Sequence, residues 1–191
     1  MSESWDVVIV GAGIIGAACA LECASRGLRT AVVEARGIGS GATAAGMGHI
    51  VVMDDSPAQL ALTRYSQSLW RELSSRLPGN VEYSSCGTLW VARDDDEMAE
   101  VHRKRGVYAS AGVATEVLDG SMLAEAEPFL KDGLAGALLV SSDAVLYPPC
   151  AAGYLMVEAQ RRGAHLYMPR QVVSAGSGSV RLGDGTNLST P

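Results

Sequence analysis

Residues 6–34 read DVVIVGAGIIGAACALECASRGLRTAVVE, and this stretch decides the fold. Residues 5–10 (WDVVIV) are a β-branched run that Gly11-Ala12-Gly13 breaks. Residues 14–25 have helical composition, with Ile15, Ala18 or Cys19, and Glu22 at one-turn steps, and Gly27 stops the helix. Residues 29–34 (RTAVVE) form a second apolar run that ends in a carboxylate. Strand, glycine turn, helix and strand in so short a stretch make a βαβ unit, which requires a parallel sheet.

Residues 11–16, GAGIIG, fit G-x-G-x-x-G directly after the strand and at the start of the helix. Gly11 permits the tight turn and Gly13 lets the backbone approach a pyrophosphate. Gly16 lets helix and strand pack closely, while the helix N-terminus supplies N–H groups and a positive dipole end. Glycine-rich turns also arise for purely steric reasons, so the second carboxylate-bearing strand matters. Glu34 stands 23 residues after Gly11, where an acceptor binds ribose hydroxyls and its charge disfavours a 2′-phosphate. A second small-residue loop, residues 35–48 (ARGIGSGATAAGMG), follows at once. A nicotinamide enzyme needs no such loop. An extended cofactor with a bulky ring at its far end does, which favours FAD over NAD. The bland alternative, a flexible linker, rarely carries Ala-Ala, Met and Ile at this density.

Working outward, Ser56-Pro57 reads as N-cap and N1 of a helix along which Leu62, Tyr65, Leu69, Leu73 and Leu77 repeat, with Pro78-Gly79 ending it. Residues 81–92 are strand-like around Cys86-Gly87, and residues 94–111 form a polar surface helix. Residues 134–140 and 143–147 read as strands, and Pro148-Pro149 begins a helix to Arg162. Residues 164–168, 172–175 and 179–182 are strands, with a Gly183-Asp184-Gly185 turn before residues 186–190. No internal repeat is visible.

The 191 residues are 48% apolar and 19% charged, which excludes a disordered chain. The net charge of −6, with the basic residues scattered, makes nucleic acid an unexpected ligand. Residues 1–6 are acidic where a secretory signal is basic. The apolar run 7–21 is too short to span a bilayer. Cys19, Cys23, Cys86 and Cys150 contain no CxxC pair and read as reduced, mostly buried thiols. A soluble cytoplasmic protein is the default expectation, with peripheral membrane contact left open.

Taken in order, DVVIVGAGIIG, VVEARGIGSGATAAGMG, CGTLWVA, EAEPFL and DAVLYPP resemble the FAD-dependent D-amino-acid oxidase family, specifically its glycine oxidase, sarcosine oxidase and D-hydroxyproline dehydrogenase or hydrogen-cyanide-synthase branch. The resemblance runs along nearly the whole chain. It implies an α/β fold in which a Rossmann-like FAD-binding βαβ domain (1–80 and 145–191, incomplete) accompanies part of a sheet-based substrate domain (81–144). It also implies oxidation of a C–N bond of an amino acid or cyclic secondary amine to an imine by hydride transfer to FAD. A D-amino acid or D-hydroxyproline is the favoured substrate.

Carried over by the resemblance, Gly11, Gly13, Ile14, Ile15 and Gly16 match the phosphate turn. Glu34 matches the adenosine-ribose acceptor, with Arg36 beside it. Gly41, Ala42, Gly46, Met47 and Gly48 match the loop along pyrophosphate and flavin, and Val172 the position whose backbone meets adenine. The chain departs from the family in length: no V-V-x-A-x-G-x-W segment follows residues 186–190, and the later part normally supplies substrate-binding Arg and Tyr residues. Missing downstream sequence or a second subunit is therefore expected, with no turnover by residues 1–191 alone. The rival reading is a non-catalytic FAD-holding subunit of a heteromeric dehydrogenase, and an NAD enzyme comes third.

No catalytic residue is assigned. His49, after the flavin loop, either faces the ring or only hydrogen-bonds backbone. His102 and His165 read as surface or strand residues, and no His spacing supports a metal site. Met47 and Met53 face the cofactor or fill gaps. Cys19 and Cys23 read as packing of the first helix. Tyr65, Trp70, Trp90 and Tyr147 read as core or domain-interface residues, and Asp54-Asp55 as the approach to a helix start.

Overall fold

The computed structural model describes residues 3–191, so Met1 and Ser2 of the acidic N-terminal stretch lie outside the described residues. The chain opens with β1 (Glu3–Ser4), β2 (Val7–Val10), α1 (Ile14–Ser25), β3 (Thr30–Val33) and α2 (Ala42–Ala45). Then come β4 (His49–Ile50), α3 (Pro57–Ser74), β5 (Thr88–Ala92), α4 (Asp95–Ser110), β6 (Glu116–Asp119), α5 (Gly120–Ala126), β7 (Gly136–Val140) and β8 (Ala144–Val145). The last stretch holds α6 (Pro148–Arg161), β9 (His165–Tyr167), β10 (Val172–Gly176), β11 (Ser179–Leu182) and β12 (Asn187–Ser189).

Two compact units result. The first takes residues up to Gly48, Leu77–Glu82 and Tyr147–Pro191, and the second His49–Arg76 and Tyr83–Leu146. These units differ from the expected domain ranges in residues 49–76, which pack not with the βαβ unit but with Tyr83–Leu146 in the second unit. Val52 joins that unit's core and Leu60 packs against it.

The first unit is built on the parallel sheet β2-β3-β9, with Val7–Val10 in register with Thr30–Val33. β3 is central and buried along its whole length. Alternation sends Ala31 and Val33 to one face, where Val180, Leu182 and Leu188 of the β10–β12 meander complete a core. α1 packs on α6 through small residues, Ala17, Ala20 and Ala24 on one helix, Ala151, Ala152 and Ala159 on the other. Side chains this small let two helices approach closely. The same packing leaves Ile15, Ala18, Cys19 and Glu22 on the exposed side of α1, so Cys19 is not core packing. Cys86 is exposed as well, and the four thiols are free rather than mostly buried.

The second unit is an antiparallel sheet β5-β7-β6 with β7 in the middle, flanked by α4 and α5, while α3 packs beside β4. Its core gathers Val52, Ala92, Val101, Tyr108, Leu138 and Val140. α4 is thus more than a surface helix, since its Tyr108 is fully buried and donates its hydroxyl to Val52 O at 3.1 Å. α3 differs from expectation in both end and face. It stops at Ser74, and its Leu62 and Tyr65 are 67% and 64% exposed, while the polar Gln67 is buried. Tyr147 is exposed too.

Residues 81–92 are not one strand, because a 3₁₀ turn (Gly79–Val81) and the left-handed Glu82 precede β5. β6 and α5 are additions to the sequence reading. Asp119 caps α5 by accepting from the N–H groups of Ser121 and Met122, both at 2.9 Å.

Candidate dinucleotide-binding site

The end of β2 turns at Gly11, whose φ of +97° lies in the left-handed region, and Gly11 N–H donates to Val33 O at 2.8 Å. The turn is thereby tied to the neighbouring strand. Gly16 sits directly beneath it. A Cβ there would stand 2.0 Å from Gly11 O, so only glycine admits this approach of helix to strand. Gly13 is the N-cap of α1, extended and without a capping side chain, and the first turn holds no acidic residue. The positive end of the helix is available to an anion.

Glu34, at the end of β3, closes the turn from the side. Its Oε2 accepts from Ala12 N–H at 2.9 Å and its Oε1 from Arg36 N–H at 2.7 Å. Partial burial works to raise its pKa, but the N–H donors of Ala12, Arg36 and Gly37 outweigh that and hold it below the ordinary carboxylate value. Glu34 is therefore charged at neutral pH, and its two oxygens together keep acceptor capacity beyond these backbone bonds.

The second loop is fastened to the first. Gly39 N–H donates to Ala12 O at 2.9 Å, and Ile14 N–H donates to Thr43 Oγ1 at 3.0 Å. Thr43 is the residue that sequence reasoning misses; as the one hydroxyl within ATAA, it is a readable signal. Gly39 is buried against Pro149 of α6, where a Cβ would come within 3.1 Å of Pro149 Cα.

The structure thus brings Gly11, Gly13, Ile14, Gly16, Glu34 and Arg36 together, and a terminal nitrogen of Arg36 lies 3.7 Å from where a Cβ of Gly41 would stand. Gly41 caps the short helix α2, which begins with Ala42, and Gly46 ends it. Ile15 and Met47 are each 78% exposed, and Gly48 turns with φ +74°. Val172 lies apart from the turn, half-buried on β10 against the core of Ala31 and Val33.

His49 opens the second unit, exposed and paired through its backbone with Val145. His102 is exposed on α4, and His165 on β9 packs 4.4 Å from the Tyr167 ring. Met53 is fixed by α3, its N–H donating to Thr63 Oγ1 at 3.1 Å. Asp54 exceeds its expected role: its side chain is buried and paired with Lys104 and, at 3.0 Å, with Arg103. Among the described residues, no cluster of three or more His, Cys, Asp and Glu is placed to hold a metal ion, and no helix is long and apolar enough to cross a membrane.

A left-handed glycine turn under a helix whose N-cap is a bare glycine, a charged acceptor at the end of the next strand and a second small-residue loop fit an adenosine diphosphate moiety. That defines the class: residues 6–189 match the family model of FAD dependent oxidoreductases, and the chain belongs to this DAO family. FAD is the family's cofactor.

Within it, the chain is similar to glycine oxidase of Geobacillus kaustophilus, 29% identical over 187 residues, covering 94% of this chain and 50% of that protein. The crystal structure of glycine oxidase from that organism superposes with a TM-score of 0.88 at 28% identity, covering 99% of this chain and 54% of the other. L-proline dehydrogenase from P. horikoshii gives 0.89 at 26% identity, with 100% and 52% covered. A subunit of the anaerobic glycerol-3-phosphate dehydrogenase of Escherichia coli K12 is 27% identical over 188 residues, 95% of this chain and 32% of that one. The chain spans half or less of the length of these curated relatives.

Proposed function

We propose that this chain is the FAD-holding portion of an oxidoreductase that converts the C–N bond of an amino acid or cyclic secondary amine to an imine, with a D-amino acid or D-hydroxyproline as substrate. The observation that carries the reading is the set of bonds Gly11–Val33, Ala12–Glu34, Ile14–Thr43 and Gly39–Ala12, which ties the glycine turn, Glu34 and the second small-residue loop together around the start of α1. Gly13 and the first turn of α1 hold the pyrophosphate, Glu34 accepts from the adenosine ribose hydroxyls, Arg36 flanks that acceptor, and the loop from Gly41 to Gly48 runs toward the ring. Val172 meets the adenine with its backbone. When bound, FAD supplies the hydride acceptor. The chain's own part in the chemistry is to bind and orient the cofactor.

A second reading, an FAD-holding subunit that needs another polypeptide for turnover, is favoured by Ile15 and Met47, large apolar side chains left 78% exposed beside the cradle. Similarity to a protein named as one subunit of a dehydrogenase agrees with it. A cytoplasmic location, with its thiols reduced, belongs to the same proposal. The test is to add D-proline, D-hydroxyproline or glycine anaerobically to the FAD-loaded chain and follow the flavin absorption band. The expected result is retained yellow colour without steady bleaching by residues 1–191 alone, and bleaching once the remaining polypeptide is supplied. Complete bleaching of the flavin in the isolated monomeric chain would contradict the need for a partner segment, and no bleaching by any amine in the completed protein would contradict the amine-oxidising reading.

A further inference from the structure

Within the second unit, a cavity of about 520 Å³ opens beside one face of α3. Arg64, Gln67, Ser68 and Arg71 line it at spacings of three, four and seven residues, which puts them on one helical face. Gly112, just beyond α4, and Ser142, between β7 and β8, also line it. No acidic side chain lines this cavity, in a chain whose net charge is −6. Among the described residues, neither Arg64 nor Arg71 makes a salt bridge.

The backing of Arg71 is built rather than incidental. Gln67 is only 6% exposed, and its Nε2 donates to Asp143 Oδ1 at 2.8 Å. The same Asp143 oxygen accepts from Val52 N–H at 3.2 Å, and Asp143 is fully buried. With its amide fixed from behind, Gln67 turns its Oε1 to Arg71 Nη2 at 3.4 Å. A buried carboxylate and amide thus meet one nitrogen of the exposed Arg71 guanidinium and leave its other donors for the cavity. This is how a binding group is preorganised.

We propose that this cavity binds a small oxyanion, a carboxylate or phosphate compound, through Arg64 and Arg71. Guanidinium groups recognise such oxygens with paired, charge-assisted hydrogen bonds. The Ser142 hydroxyl supplies a neutral donor. Ala61, Tyr65, Val113 and Ala114 add apolar lining, which suits a ligand with a carbon skeleton. The site does not depend on whether the first unit holds FAD. The competing explanation is structural: Arg64 lies 3.6 Å from where a Cβ of Gly112 would stand, near the end of α4, a helix with no basic residue in its last turn.

The test is calorimetric titration of the FAD-saturated chain, in which the cradle of the first unit is filled, with succinate and with inorganic phosphate at low ionic strength. Wild type is compared with Arg64→Gln, Arg71→Gln and, as a charge control, Arg105→Gln, which removes an exposed arginine of α4 outside the cavity. One-to-one binding is expected, weakened roughly tenfold or more by either cavity substitution and unchanged by the control. The tighter of the two probes identifies the ligand as organic carboxylate or phosphate. If circular dichroism shows that a Gln variant fails to fold, Arg64→Lys and Arg71→Lys replace it, retaining charge but losing the fork, with intermediate weakening expected. Absence of saturable binding by the folded wild type overturns the proposal. So does equal affinity in the cavity variants and the control, which leaves Arg64 its structural role alone.

Discussion

Gly16→Ala isolates the contact on which the cradle rests. The new Cβ would lie 2.0 Å from Gly11 O, 3.1 Å from Gly11 C and 3.4 Å from Ile9 Cγ2. Real Cβ atoms essentially never come closer than 3.0 Å, so the strand end and helix start must separate by at least the difference, 1.0 Å. The obstructing atom is backbone, and no rotamer change relieves it. Gly11 is also anchored to Val33 at 2.8 Å, so its displacement disturbs the parallel sheet.

Overpacking of this kind costs about 3 kcal/mol. Alanine's better helix propensity returns about 1 kcal/mol. The net loss of about 2 kcal/mol corresponds to a fall in Tm of roughly 4–8 °C for a chain of this size. FAD affinity should fall with it, because the N–H groups of the turn move together. Thermal unfolding followed by circular dichroism, paired with FAD titration, measures both. Gly153→Ala on α6, where a Cβ meets nothing within 4 Å, is the control and should be neutral or slightly stabilising. A Gly16→Ala protein as stable as the Gly153→Ala protein, with undiminished FAD binding, would refute the steric reasoning.

Glu34→Gln should cost about 1–2 kcal/mol at neutral pH through lost charge-assisted bonds. Because the folded-state pKa of Glu34 lies below its ordinary 4.5, that gap should be complete above this value and close as pH falls through the depressed pKa, as urea titrations at several pH values would show. Asp54→Asn strands the mostly buried Lys104 and should destabilise by about 3–5 kcal/mol, read from the same unfolding curves. Asp143 behaves oppositely. Burial pushes its pKa up and outweighs the hydrogen bonds from Thr88, Val52 and Gln67, so ionisation costs stability as pH rises. Asp143→Asn should equal or exceed wild type at neutral pH and lose that advantage as pH falls from the raised pKa toward 3.8, below which it is gone.

The βαβ unit is legible because each local signal agrees with the next: β-branched runs, a glycine break and a helix stop at Gly27. Glycine positions carry sequence information of an unusually direct kind, since Gly11 needs a left-handed φ and Gly16 a missing Cβ. What stays hidden depends on long-range partners. Thr43 reaches Ile14 across 29 positions, and Asp54 reaches Lys104 across 50, distances over which no periodicity operates. α3 misleads because its leucine and tyrosine repeat does not mark its buried side: Leu62 and Tyr65 are exposed, whereas the polar Gln67 turns inward to Asp143. The boundary at Gly48 is invisible for a related reason: small-residue loops look alike in sequence whether or not the chain changes unit within them.

On the proposed reading, the glycine turn and Glu34 hold the adenosine half of FAD. Equilibrium titration of the flavin-free chain with FAD and with FMN, on wild type and on Gly13→Val, tests it most directly. A Cβ at position 13 already meets Thr43 Oγ1 at 3.0 Å, and a branched one intrudes further where phosphate oxygens approach the N–H groups. The expected result is stoichiometric FAD binding by wild type, much weaker FMN binding, and no FAD binding by Gly13→Val despite preserved helix content. Full FAD stoichiometry in Gly13→Val, or FMN bound as tightly as FAD, would contradict it.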